Sequence, residues 1–178
     1  MMYLTIASLV LLATFIVLSV RRFGLQKSYS SYAKLWEGIV PAKYDLNVWR
    51  AVTIIVALLQ VIPMLSTLEG SAIQFVGFLT PAYLITVACT PDYQEDKGEK
   101  IVHYIATALC AAGFLICVSF GVQPSLWWLP LLWAAGFLFF IGLPSKTAAS
   151  SLVLWLECAM FAASFTMQLL PYVQQLSK

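Results

Sequence analysis

Six long apolar segments, at residues 2–20, 51–65, 72–89, 101–120, 126–143 and 151–170, set the terms on which this chain can fold. A helix crosses a hydrocarbon core of about 30 Å with about 20 apolar residues, in a range of about 17–25. The second segment reaches that length only if it continues through Ser66 and Thr67. Length and the lack of strand-like alternation favour helices over a barrel. Hydrophobic residues make up 61% of the chain and charged residues 10%, against about 45–50% and about 25% in soluble domains. Too few polar side chains remain to coat a surface facing water. The expectation is an all-α integral membrane protein: one domain over residues 1–178, a bundle of six transmembrane helices at about 2–20, 51–67, 72–89, 101–120, 126–143 and 151–170.

Charge then fixes an expected orientation. With six spans, the first, third and fifth loops share one side and hold every Lys and Arg except Lys178. The positive-inside rule puts that side in the cytoplasm and both termini outside it, in a multi-pass protein of an inner or plasma membrane. Arg21 and Arg22 follow the first apolar run rather than precede it, so that run reads as a retained helix and not as a signal peptide. A net charge of +2 offers no basic field for nucleic acid. Membrane lipids are the expected surroundings, with a small solute or a proton as the expected cargo, and an oligomer is compatible with the sequence.

Half of the eight acidic residues fall in PDYQEDKGEK, residues 91–100. Asp92, Glu95, Asp96 and Glu99 would each cost a few kcal/mol at the bilayer centre, at roughly 2.5–3.5 kcal/mol per charge, which places this stretch in a water-facing loop. It does not fit a calcium loop, because Lys97 stands where the required glycine would be. His103, the one histidine, lies just inside the fourth apolar segment. Ala106, Cys110, Gly113, Cys117 and Gly121 follow at helical spacing on its face, a small-residue stripe suited to close helix packing.

Glu157 is the residue hardest to place in lipid. It lies about 6 residues into the last span, about 10 Å deep, and Ser150, Ser164 and Gln168 share its face. Thr53, Gln60 and Thr67 form a weaker polar line on the second span. An intramembrane carboxylate faces a bundle interior or a wet cavity. The expectation is that Glu157 and His103 form a proton-sensitive pair at the inner mouth of a polar cleft between the second, fourth and sixth spans, with Gln60, Ser164 and Gln168 deeper in it. A packing hydrogen bond, or a Glu157 that snorkels to the headgroups, is the plainer alternative.

Other chemistries find less support. One histidine and four cysteines without Cys-x-x-Cys spacing do not make a common zinc site, and no cofactor motif occurs. No nucleophile motif such as Gly-x-Ser-x-Gly is present, so no catalytic residue is assigned and an enzyme, chiefly one acting on lipid, stays a third reading. In the first long loop, Tyr29, Tyr32, Trp36 and Ile39 recur at helical spacing. They suit a helix lying in the membrane interface with its aromatics at headgroup depth; an ordinary connector ordered by its aromatics is the alternative. Pro63, Pro81 and Pro130 fall within spans and imply kinks, and no internal repeat is evident.

The stretches YLTIASLVLLATFIVLSVRRFG, SYSSYAKLWE and PDYQEDKGEKIVHYIATALCAAG resemble small polytopic membrane proteins of Bacteroides-type bacteria and their phages. A charged loop leading into a histidine and a small-residue helix is similar, over about one helix, to the DRAM/Sfk-like membrane protein type. Neither resemblance implies an activity or carries over a site residue. The leading expectation is a transport or lipid-associated protein with a proton-sensitive polar interior. The alternative is a non-catalytic membrane accessory or interaction protein, phage-related if the first resemblance holds.

Overall fold

The computed structural model describes residues 1–37, 39, 47–120, 128, 131, 132, 135 and 151–176. All regular structure among them is helical: α1 (Met2–Phe23), a 3-10 turn (Tyr29–Ser31), α2 (Tyr32–Trp36), α3 (Val48–Thr67), α4 (Gln74–Ala88), α5 (Lys97–Phe120) and α6 (Leu152–Leu176). α1, α3, α5 and α6 are long and apolar enough to cross a membrane, and α4 is a shorter apolar helix. Most of the predicted fifth span, together with Gly121, Ser150 and Lys178, lies outside the described residues.

Local chemistry shifts three of the predicted boundaries. α3 starts at Val48 because the Asn47 side chain accepts from the Arg50 N–H at 3.2 Å, satisfying one of the first-turn donors. It therefore has 20 residues and needs no extension to reach a spanning length. α4 has only 15 residues, fewer than the third apolar segment suggests. α5 begins inside the charged stretch. Asp96 accepts from the Glu99 N–H at 2.7 Å, while the Glu99 carboxylate accepts from the Asp92 N–H at 3.0 Å. Part of the charge expected in a loop thus caps a helix.

Helix directions follow from contacts at both ends. Thr5, near the start of α1, bonds Gln168, late in α6, and at the opposite end the Leu154 N–H donates to the Lys27 carbonyl. α1 and α6 are antiparallel. Along α5 and α6, Thr107 shares a cavity with Glu157, and one to two turns further on Phe114 meets Phe161 edge to face at 5.6 Å. Those two helices run parallel.

Ala106, Cys110, Gly113 and Cys117 are buried on one face of α5 together with His103. A methyl group added at Gly113 would overlap the Thr80 side chain of α4, so hydrogen is the only substituent this contact admits. Tyr3, Val10, Ile55, Leu58, Phe75 and Ile105 point outward from the bundle. An outer surface of that kind belongs against acyl chains rather than water.

The first loop corrects the interfacial-helix expectation. A short helix does form at Tyr32–Trp36, but its aromatics turn inward: Tyr32 and Ala33 are 0% exposed and Tyr29 is 4% exposed. Tyr29 packs on Phe15, Trp49 and Phe161, and Trp36 packs on Phe15 and Phe23. The segment plugs one end of the bundle. Polar ties explain why it prefers the core to the headgroups: Tyr32 donates to the Gly24 carbonyl, Trp36 to Ser19 and Asn47 to the Ala33 carbonyl.

Candidate functional site

Glu157 sits one to two turns into α6, directly beneath this plug. The Leu154 bond to Lys27 brings the start of α6 against the loop. The Tyr29 backbone N–H then donates to the Glu157 carboxylate at 2.6 Å. At the other end of Tyr29, Thr53 donates to the Trp49 carbonyl at 2.7 Å, which leaves its oxygen to accept from the Tyr29 hydroxyl at 2.8 Å. One residue thus links α3 to the carboxyl of α6. Burial raises the Tyr29 phenol above its ordinary value, and the charge of Glu157 adds to the rise, so the ring stays a neutral donor.

Beside Glu157 lies a cavity of about 60 Å³ whose lining includes Tyr29, Ser30, Thr107, Cys110, Phe114 and Phe161. It exceeds the about 10–15 Å³ that one water needs. The Thr107 hydroxyl, on this lining, is buried without a hydrogen-bond partner. A carboxyl and a free hydroxyl therefore face a space that is otherwise almost wholly apolar. Such a site can bind a water-sized or small polar guest, or load and release a proton at the carboxyl oxygens.

His103 is held elsewhere. Thr90 donates to the Val87 carbonyl at 2.9 Å, so its oxygen accepts from His103 Nδ1 at 2.9 Å. The imidazole also stacks on Tyr93 at 3.9 Å between centroids. No ion pair joins His103 to Glu157 among the described residues, where every ion pair involves Lys34. The expected direct pair is not formed, because each group finds a nearer partner in a loop.

Gln60, Ser164 and Gln168 do come together. Gln168 donates to Gln60 at 2.5 Å and to Ser164 at 3.2 Å, and it accepts from Thr5 at 3.2 Å. All four are buried. This knot joins α1, α3 and α6, not the second, fourth and sixth spans, and its members bond each other directly instead of lining a cleft. It lies about 16 Å along α6 from Glu157, at about 1.5 Å per residue. The polar face of the last helix is therefore two separate places. Thr5 escaped the sequence reading, yet Thr5, Ser8, Leu12, Phe15 and Ser19 recur at spacings of three and four and form the buried face of α1.

Outside the bundle, Lys34 of α2 contacts Asp92 at 2.6 Å, Glu37 at 3.2 Å and Glu95 at 3.4 Å. The ammonium is held above the usual lysine range, first by the Asp92 hydrogen bond and then by Glu37. The plug is thereby strapped to the loop before α5. All four cysteines are free, and no cluster of three or more His, Cys, Asp or Glu side chains able to hold a metal occurs among the described residues. The chain matches no protein-family model, no curated protein and no solved structure.

Proposed function

We propose that this chain is a small membrane carrier that moves a proton, alone or with a small polar solute, and that Glu157 is its loading site. The observation that supports this most is the Glu157 carboxyl facing a cavity with the unpartnered Thr107 hydroxyl, under a plug it holds by a single backbone hydrogen bond. Keeping an ionisable group at that depth without a compensating ion pair costs stability, which a purely structural bolt does not require. In this reading the Tyr29–Trp36 segment is the inner gate. Protonation of Glu157 removes the charge assistance from the Tyr29 bond and so weakens the hold of α6 on the plug, and deprotonation restores it.

Six spans fit the same reading. α5 and α6 run in the same direction, and a six-span reading takes the 126–143 stretch, by length and apolarity of sequence alone, as the crossing that two parallel spans require. The positive-inside rule then sets the plug and the Lys34 strap on the cytoplasmic face of an inner membrane.

Liposomes test the proposal. Wild-type protein should collapse an imposed pH gradient faster than empty vesicles, and Glu157→Gln should fall to the empty-vesicle rate while keeping its monodispersity in detergent. Equal rates for wild type and Glu157→Gln at every gradient reject the carrier reading.

A second reading has its own support. The Gln168 knot ties α1, α3 and α6 together through bonds among its own members, apart from Glu157, which suits a non-catalytic accessory protein. Absence of flux, together with a bound partner recovered only when residues 92–100 are intact, would favour it.

A further inference from the structure

A second cavity lies on the outside of the bundle, on a different face from Glu157. It is a groove of about 480 Å³ between α1 and α6, lined by Leu9, Ala13, Ile16, Phe161 and Phe165 and ending at Arg21. Its size falls within the about 300–1,000 Å³ of ligand clefts. From Leu9 to Arg21 the groove follows about 18 Å of helix at about 1.5 Å per residue. That is close to one leaflet of a hydrocarbon core about 30 Å thick.

The two ends of the groove differ in chemistry. Among the described residues no acidic side chain lines it. Arg21 is exposed at its mouth, and its guanidinium has no ion-pair partner among the described residues. Arg22, beside it, is laid over the Phe23 and Trp36 rings at 5.7 and 5.9 Å. One arginine is spent on the plug, and the other stands free over an apolar slot of leaflet depth.

We propose that this groove binds one anionic phospholipid, with an acyl chain along α1 and α6 and the phosphate on Arg21. Charge complementarity selects the occupant: a bare guanidinium at headgroup depth recognises phosphate, in bidentate fashion, whereas the apolar walls accept any chain. The inference is independent of Glu157 and of transport. Because Phe161 lines both this groove and the Glu157 cavity, the bound chain also supports one wall of the carboxyl site.

Photolabelling tests it, with purified full-length protein in vesicles containing a diazirine-tailed phosphatidylglycerol or the same probe built on phosphatidylcholine. The anionic probe should label residues 9–17 and 161–165 several-fold more than the zwitterionic one. Arg21→Ala should abolish that preference, and Arg50→Ala, which removes the same charge from α3, should keep it. Ala13→Trp, which fills the slot, should remove labelling there by both probes while leaving it elsewhere. Equal labelling by the two probes, or a preference that survives Arg21→Ala, makes the groove ordinary annular surface and overturns the proposal. So does labelling that is absent in wild type because a second copy or another part of the same chain cross-links into the slot.

Discussion

Gln168 shows what a single side chain has to do in this bundle. Its amide donates to Gln60 and Ser164 and accepts from Thr5, so one residue satisfies polar atoms on two other helices and on its own. Leucine at this position fills similar space but leaves the Thr5 hydroxyl and the Gln60 carbonyl without that partner. Interhelical bonds in membranes average about 0.6 kcal/mol with a maximum of about 1.7, and buried groups left unpaired cost about 1–3 kcal/mol. Gln168→Leu should therefore lose about 2 kcal/mol, read as a lower Tm in detergent. Gln74→Leu, whose amide reaches only the Leu65 carbonyl within the α3–α4 hairpin, should lose less than half of that. The importance of Gln168 and Gln60 was legible in the sequence, because polar amides inside apolar runs have to find each other. Their third partner was not, since a threonine in a helix routinely satisfies itself on its own backbone, as Thr166 does here on the Ala162 carbonyl.

The same distinction governs whole elements. Apolar length alone located α1, α5 and α6, and burial of the α5 small-residue face follows from lipid offering no hydrophobic drive of its own. Of the two readings the sequence left open for the first loop, the connector ordered by its aromatics is the one found; the pattern could not choose, because a headgroup-depth helix and a buried segment share it. What separates them lies outside the pattern: Gly24, Asn47 and Ser19 supply the hydrogen bonds that make burial tolerable, from 8, 14 and 17 residues away along the chain. The strap holding this element has a defined pH signature. Lys34 is held above its ordinary value of 10.5 by Asp92 and Glu37, so its contribution is complete below that value and fades as pH rises through the raised one. The Tm gap between wild type and Lys34→Met should be constant from neutral pH to about 10.5 and then close. Lys34→Arg, which stays protonated, should keep the gap open. A gap that does not change with pH would mean the lysine acts by packing alone.

At the scale of the molecule, the parallel run of α5 and α6 makes a claim that labelling can check. With six spans, single cysteines in a cysteine-free background at Ser28 and Asp96 should react with an impermeant reagent from the cytoplasmic side, and cysteines at Glu69 and Gln174 from the opposite side. Ser28 and Gln174 reacting from the same side would break the arrangement. Charge distribution is what suggests this topology in the sequence, because each lysine and arginine is costly to carry across. Which helices touch was beyond its reach, since the contacts that decide it join residues as distant as Thr5 and Gln168. Those distant contacts also order events during synthesis. The Tyr29 amide and the Lys27 carbonyl meet their partners only on α6, so the ribosome must deliver the last helix before the first loop makes its last two bonds. Until then the Tyr29 amide and the Lys27 carbonyl of a newly inserted chain stay unlatched, left to water or to another partner.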